Sequence, residues 1–150
     1  MDVRAEQERW EARIAAVGAK PAYTEFKQYY AARDFRVQHT RSHLFGELLY
    51  RAGGTDAITM CDPTFGDFGC EHGFTTAAIR DRGLMAITAI NAACIQKLKL
   101  ATLIVSCQHG IGHGILEYLG RDRLLAALEA CPPPAGGDPL AGCAIGVFME

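Results

Sequence analysis

The six cysteines of this 150-residue chain stand in three near pairs along the sequence. The pairs are Cys61 with Cys70, Cys94 with Cys107, and Cys131 with Cys143. The first and third pairs enclose segments rich in Pro and Gly, which interrupt helices, whereas the middle segment is the least turn-like. Cysteines on either side of a tight connection between helices can lie within bridging distance. We therefore predict three local disulfides, one within each pair.

Disulfides of this kind form in oxidising compartments, so we predict a periplasmic or extracellular protein. The first residues, MDVRAEQERW, lack the basic start and the apolar run of a secretory signal, so an exported protein would have had its signal removed or lost. One alternative stays open. Cys70 with His72 and Cys107 with His109 offer zinc two thiolates and two imidazoles, and such zinc ligands would indicate the cytoplasm.

A second pattern in the sequence is an internal repeat. The motif Gln-His-x-x-x-His-x-x-x-Glu occurs twice, as Gln38, His39, His43 and Glu47 and again as Gln108, His109, His113 and Glu117. Glu71-His72-Gly73 partly matches both copies, and an apolar copy begins at Ala144-Ile145-Gly146. Aligning His39, His72, His109 and Ile145 gives steps of 33, 37 and 36 residues, the length of a helix-turn-helix repeat. A cysteine precedes each of the last three positions by two residues, so the two patterns agree on one register.

These patterns predict an all-α fold of stacked helical hairpins joined by short local disulfides. Apolar residues recur at helical spacing, and no sustained alternation of apolar and polar residues indicates strands. We expect helices over residues 2–17 and 22–33, and the first of them should end near Gly18 and Pro21. Paired helical segments should follow. The pairs are about 39–51 with 56–61, 69–82 with 84–97, and 102–119 with 122–131, followed by a helix from 142.

We predict a single repeat domain over residues 1–150. It comprises N-terminal helices in residues 1–36, repeats at about 37–68, 69–105 and 106–141, and a partial repeat at 142–150. The last segment has no partner helix, so we expect a truncated array or a partner outside this chain at that end. A formal net charge of -2 provides no basic field for nucleic acid, and the longest apolar stretch is too short to span a bilayer.

The segment GELLYRAG, residues 46–53, resembles the small-x-Leu-Tyr-x-x-Gly stretch of Sel1-like repeats. The placement of Ala130-Cys131 and Gly142-Cys143 resembles their secreted cysteine-rich relatives, in which one bridge links the second helix of a repeat to the first helix of the next. The resemblance covers about residues 39–150 and implies stacked α/α repeats that bind protein partners. The histidine motif departs from that family pattern, so the role in partner binding is not carried over directly.

All five histidines of the chain occupy the repeated position or lie one helical turn after it: His39, His43, His72, His109 and His113. Residues four apart project from one side of a helix, so each motif forms a ridge of two imidazoles and one carboxylate. Imidazole and carboxylate ligands suit zinc, copper or iron. We therefore predict a transition-metal site in which all five histidines converge, with Glu47 or Glu117 handling protons if the site is catalytic.

Three other interpretations remain open from the sequence. The histidines can be structural and donate hydrogen bonds to backbone carbonyls, because a buried imidazole must be satisfied. They can instead bind haem without covalent attachment, since Cys-x-x-Cys-His is absent. The chain can also be a non-catalytic repeat module that binds a peptide, a protein or a small molecule on its concave face.

Overall fold

A computed structural model describes residues 2–135, 137–138 and 140–149, and these residues contain helices and no strand. The helices are α1 (Val3–Val17), α2 (Ala19–Tyr30), α3 (Phe35–Gly53), α4 (Gly69–Arg82), α5 (Ala86–Lys97), α6 (Ala101–Leu119), α7 (Leu124–Glu129) and α8 (Cys143–Met149). Short 3-10 helices occupy Gly54–Met60, Gly83–Met85 and Arg121–Arg123. The predicted all-α class is confirmed. Within the described ranges, no helix is both long and apolar enough to cross a membrane.

The chain divides into two compact units, and the division falls within α4. Unit 1 is Met1–Phe74 and holds α1, α2, α3 and the start of α4. Unit 2 is Thr75–Glu150 and holds the rest of α4 and the helices that follow.

The core of unit 1 is aromatic. Trp10 of α1, Phe26 of α2 and Phe45 of α3 are buried, and the rings of Phe26 and Phe45 lie 4.6 Å apart. Side chains fix the helix starts, because Asp2 accepts a hydrogen bond from the backbone of Arg4 and Asp34 does so from Val37. The aromatic contacts therefore pack α3, which carries three of the predicted site residues, against α1 and α2.

Two helices of unit 1 differ from the sequence prediction. Helix α2 begins at Ala19 rather than Ala22, so Pro21 lies inside its first turn. A proline is tolerated there because the first N–H groups of a helix have no partner within the helix. The segment predicted as a helix over 56–61 is a 3-10 helix from Gly54 to Met60, which begins at the second of two consecutive glycines, residues that disfavour an α-helix.

In unit 2, α6 is the central element and packs against α5, α7 and α8. Its buried positions include Cys107, Ile111 and Ile115, which recur at helical spacing. The predicted helix over 122–131 is shorter than expected, with a 3-10 turn before α7. Helix α8 follows the Pro- and Gly-rich segment that begins after Cys131, and it packs against α6.

The three disulfides are the local ones that the spacing predicted. The Cα atoms lie 5.5 Å apart in Cys61–Cys70, 6.0 Å apart in Cys94–Cys107 and 5.7 Å apart in Cys131–Cys143. No cysteine is free. The alternative in which Cys70 and Cys107 ligate zinc is therefore wrong for this structure, because both sulfur atoms are already bonded.

The glutamine of each repeated motif has a structural role. The side-chain amide of Gln38 donates to backbone carbonyls at the end of α2, including that of Arg33 at 2.9 Å. Gln108 is fully buried, donates to the carbonyl of Pro133 at 3.0 Å and accepts from the amide of Ala135 at 3.0 Å. Both glutamines thus hold a neighbouring loop against their own helix.

Candidate metal centre

Three of the five predicted histidines come together in unit 1. His39 and His43 lie one turn apart on α3, and His72 lies in the first turns of α4. One ring nitrogen from each of these residues lies within 4.8 Å of the others. We call this group the three-histidine site.

Hydrogen bonds define the state of the His39 ring. Its Nδ1 lies 2.8 Å from the carbonyl oxygen of Gly66, which can only accept, so Nδ1 carries the ring proton. In a neutral imidazole the other nitrogen, Nε2, is then left with a lone pair. That nitrogen lies 3.1 Å from Nε2 of His43, towards which it presents this lone pair.

The nitrogen separations fit a common metal ion. Two imidazole nitrogens bound to one tetrahedral ion at about 2.0–2.1 Å lie about 3.4 Å apart. The 3.1 Å between the His39 and His43 nitrogens is already close to that value. The limit of 4.8 Å across the whole set leaves a side-chain adjustment of about 1 Å or slightly more for the third ligand.

The surroundings of the site are partly shielded from water. His72 is buried, with 8% of its surface exposed, whereas His39 and His43 are half-buried. The ring of Phe35 stacks on His39 with their centroids 6.1 Å apart. Because His39 and His43 are more exposed than His72, an ion would enter from the side of His39 and His43.

Close backbone packing places His72 beside α3. A Cβ atom added to Gly73 would overlap the carbonyl of His43, and one added to Gly69 would lie 2.5 Å from the carbonyl oxygen of His39. Real Cβ contacts are not this short, so these positions of α4 accept only glycine at this helix separation. The two glycines lie on either side of His72 in the sequence, so the close packing that they allow places His72 beside His39 and His43.

Burial also affects a neighbouring carboxyl group. Glu71, next to His72 in the sequence, is almost fully buried. Burial, together with the smaller effect of the negative charge of Asp62, raises the pKa of Glu71 to about 7.

The remaining predicted site residues have other neighbours. In unit 2, His109 and His113 form a pair on α6 with their Nε2 atoms 2.9 Å apart. The carboxylate of Glu117 lies 2.7 Å from the guanidinium of Arg80, and that of Glu47 lies 3.8 Å from Arg51. The prediction that His39, His43, His109 and His113 share one or two metal ions with His72 adjacent stays a prediction, as does the role of Glu47 or Glu117 in handling protons.

The packing of α8 on α6 in unit 2 repeats the packing of α4 on α3 in unit 1. Gly146 meets the carbonyl of His109 as Gly73 meets that of His43, and Gly142 lies near Val105 as Gly69 lies near His39. These contacts make His43 the structural equivalent of His109. The sequence motif instead aligned His39 with His109, and His39 lies one helical turn before His43. The unit 2 counterparts of the three-histidine site are therefore Val105, His109 and Ile145, so the equivalent positions of unit 2 hold one imidazole where those of unit 1 hold three.

Sequence reasoning missed the part of the site that is not a histidine. The Gly66 carbonyl is a backbone group, and it contacts His39 from a loop in which Gly66, Asp67 and Phe68 all have positive φ angles. A cluster of glycines in GDFGC is the one sequence signal of this loop.

Comparison of the chain with models of known protein families, with curated proteins and with solved structures found no match. The resemblance to Sel1-like repeats therefore stays a prediction.

Proposed function

We propose that this chain is an exported, disulfide-bonded helical protein that binds one transition-metal ion through His39, His43 and His72. The observation that carries the proposal is the convergence of three ring nitrogens within 4.8 Å. Three disulfides support an oxidising location outside the cytoplasm.

The chemistry of the donors favours zinc, copper or iron. Each ligand is an imidazole, and every cysteine is held in a disulfide, so soft thiolate ligands are absent. The hydrogen bond from His39 Nδ1 to the Gly66 carbonyl is the outer contact that orients a metal-binding imidazole and selects its free nitrogen. A structural hydrogen bond and metal binding are thus compatible at His39, because Nδ1 donates to the Gly66 carbonyl and Nε2 is left to bind the ion.

A catalytic role is favoured by the number of ligands. Structural zinc sites use four protein ligands, whereas catalytic sites use three and keep one position for water or substrate. A zinc ion held by these three histidines would supply Lewis-acid chemistry, which in zinc enzymes lowers the pKa of a bound water to about 7. Glu47, one turn beyond His43 on α3, is the carboxylate we propose as the proton acceptor.

Metal analysis tests the binding proposal. Protein made without an affinity tag is loaded with zinc, dialysed and measured by elemental analysis. We expect one zinc per chain in the wild type. His72→Ala should lose that zinc, because the two imidazoles that remain are too few to hold the ion through dialysis. Retention of helical structure by circular dichroism must accompany the loss.

His113→Ala is the matched control, since it removes an imidazole from the other pair. If zinc survives in His113→Ala, the three-histidine site binds alone; if it is lost there as well, the five histidines share an ion. A wild type that folds and retains no zinc, or a His72→Ala variant that binds as tightly as the wild type, would contradict the proposal.

A further inference from the structure

We propose that the disulfide-closed segment 61–70 sets the metal affinity of the three-histidine site, which is fully formed only when Cys61 and Cys70 are bonded. This inference rests on the proposed function, because it concerns the same three ligands. The segment contributes no ligand of its own. It acts by positioning two of the histidines.

The first contact is the carbonyl of Gly66. The Cα atom of Gly66 lies against α3, since an added Cβ would be 2.6 Å from the Ser42 Oγ and 2.9 Å from the Gln38 carbonyl oxygen. In this position its carbonyl accepts the proton on His39 Nδ1 at 2.8 Å. The contact leaves Nε2 of His39 as the nitrogen that faces His43 and a metal ion.

The backbone of this segment needs external support. Gly66, Asp67 and Phe68 have φ angles of 68°, 44° and 62°, and the last two residues are not glycine. Left-handed angles in residues with side chains are unfavourable and persist only when the surroundings impose them. The bond between Cys61 and Cys70 closes the segment around these three residues and is one such constraint.

The other contact is the start of α4. Cys70 is fully buried and precedes His72 by two residues, so the disulfide fixes the helical turn that carries the third ligand. The Cys61 end is anchored on α2, because the amide of Asp62 donates to Tyr23 at 3.2 Å and its carboxylate binds Lys27 at 2.7 Å. The disulfide thus joins an anchored residue to the turn that carries His72.

Loss of this bond removes a constraint on both His39 and His72. Changes to groups that orient metal ligands typically lower metal affinity by about 10-fold to 100-fold, and we expect a loss in that range. In reduction, a dithiol would transfer two electrons and two protons to the Cys61–Cys70 bond, giving two thiols and its own disulfide. New thiolates would themselves bind zinc, so the test uses alanine substitutions instead of a reductant.

The first arm compares two disulfide deletions in the full chain. Zinc affinity is measured by competition with a chromophoric chelator for the wild type, Cys61→Ala/Cys70→Ala and Cys131→Ala/Cys143→Ala. We expect about 10-fold to 100-fold weaker binding in the first variant only. The second variant removes a disulfide of similar span from unit 2, so it controls for general loss of stability.

A second arm keeps the disulfide and tests the Gly66 contact. Gly66→Ala forces a Cβ against α3, whereas Gly54→Ala has a similar φ of 59° and open space around it. We expect weaker zinc binding only in Gly66→Ala. Nitrogen-15 shifts of His39 must also change from one Nδ1-protonated tautomer to a mixture, a change that a loss of stability alone would not produce.

The possible results separate this inference from the proposed function. A wild type that binds no zinc contradicts the proposed function and removes the basis of the inference. If the wild type binds zinc and Cys61→Ala/Cys70→Ala binds it equally well, the inference alone is wrong. If that variant does not fold, Gly66→Ala decides: unchanged affinity and an unchanged His39 tautomer contradict the inference.

Discussion

Among single residues, Glu6 of α1 shows how unit 1 holds a charge in an aromatic core. Its side chain is buried, accepts a hydrogen bond from the hydroxyl of Tyr30 and forms an ion pair with Arg41 at 2.8 Å. Burial and the hydrogen bond to Glu6 raise the pKa of Tyr30. A buried carboxylate is costly unless it is paired and hydrogen-bonded, so these contacts lock α1 to α2 and α3.

Tyr30→Phe tests this network. The substitution keeps the ring but removes the hydroxyl, leaving a buried carboxylate oxygen without that donor, and we expect a loss of about 1–3 kcal/mol in the free energy of unfolding. Urea unfolding followed by the fluorescence of Trp10 measures it. Tyr29→Phe is the control, because Tyr29 is 40% exposed and should change stability by about 0.5 kcal/mol or less. Equal losses in the two variants would contradict the account.

Among elements, the contacts between α3 and α4 and between α6 and α8 follow one pattern with different side chains. Glycines on the second helix of each pair meet backbone carbonyls on the first. The pattern brings each pair of helices into close contact, and the two pairs differ in the side chains at three equivalent positions. In unit 1 they are His39, His43 and His72; in unit 2 they are Val105, His109 and Ile145.

This equivalence predicts that a second metal site can be built in unit 2. Val105→His/Ile145→His should raise the zinc content from one to two ions per chain, because His109 already holds the central position. Val105 is half-buried and Ile145 is 42% exposed, so both positions accommodate a polar ring. Elemental analysis measures the gain, and each single substitution serves as a control because it places a histidine at only two of the three positions equivalent to His39, His43 and His72. An unchanged zinc content in a folded double variant would contradict the proposed equivalence.

Much of the local structure could be predicted from the sequence because local signals determine it. Gly18 and Gly120 mark helix ends close to where the sequence predicted them, and the spacing of His39 and His43 places both on one face of α3. Pro21 misled the prediction because a proline within the first turn and a proline after a helix look alike in sequence. The alignment of His72 with α3 was also out of reach, since it depends on which glycine meets which carbonyl across two helices.

In the molecule as a whole, the disulfides and the histidines act in the same part of unit 1. The Pro- and Gly-containing segment between Cys61 and Cys70 predicted a disulfide, and the repeat assigned His72, two residues after Cys70, to the metal site. The structure adds that the bridged segment supplies the carbonyl that orients His39. Because a metal that binds only the folded chain stabilises it, zinc should also raise the melting temperature, and the stabilisation should grow with the logarithm of the ratio of zinc concentration to Kd.

X-ray absorption spectroscopy of the zinc-loaded, tag-free protein tests the central claim most directly. We predict three imidazole nitrogens at about 2.0–2.1 Å from zinc, one light atom from solvent and no sulfur ligand. The same measurement on His72→Ala should show fewer imidazoles or no bound zinc. A zinc–sulfur distance of about 2.3 Å, or an imidazole count that is the same in the wild type and in His72→Ala, would contradict the three-histidine site.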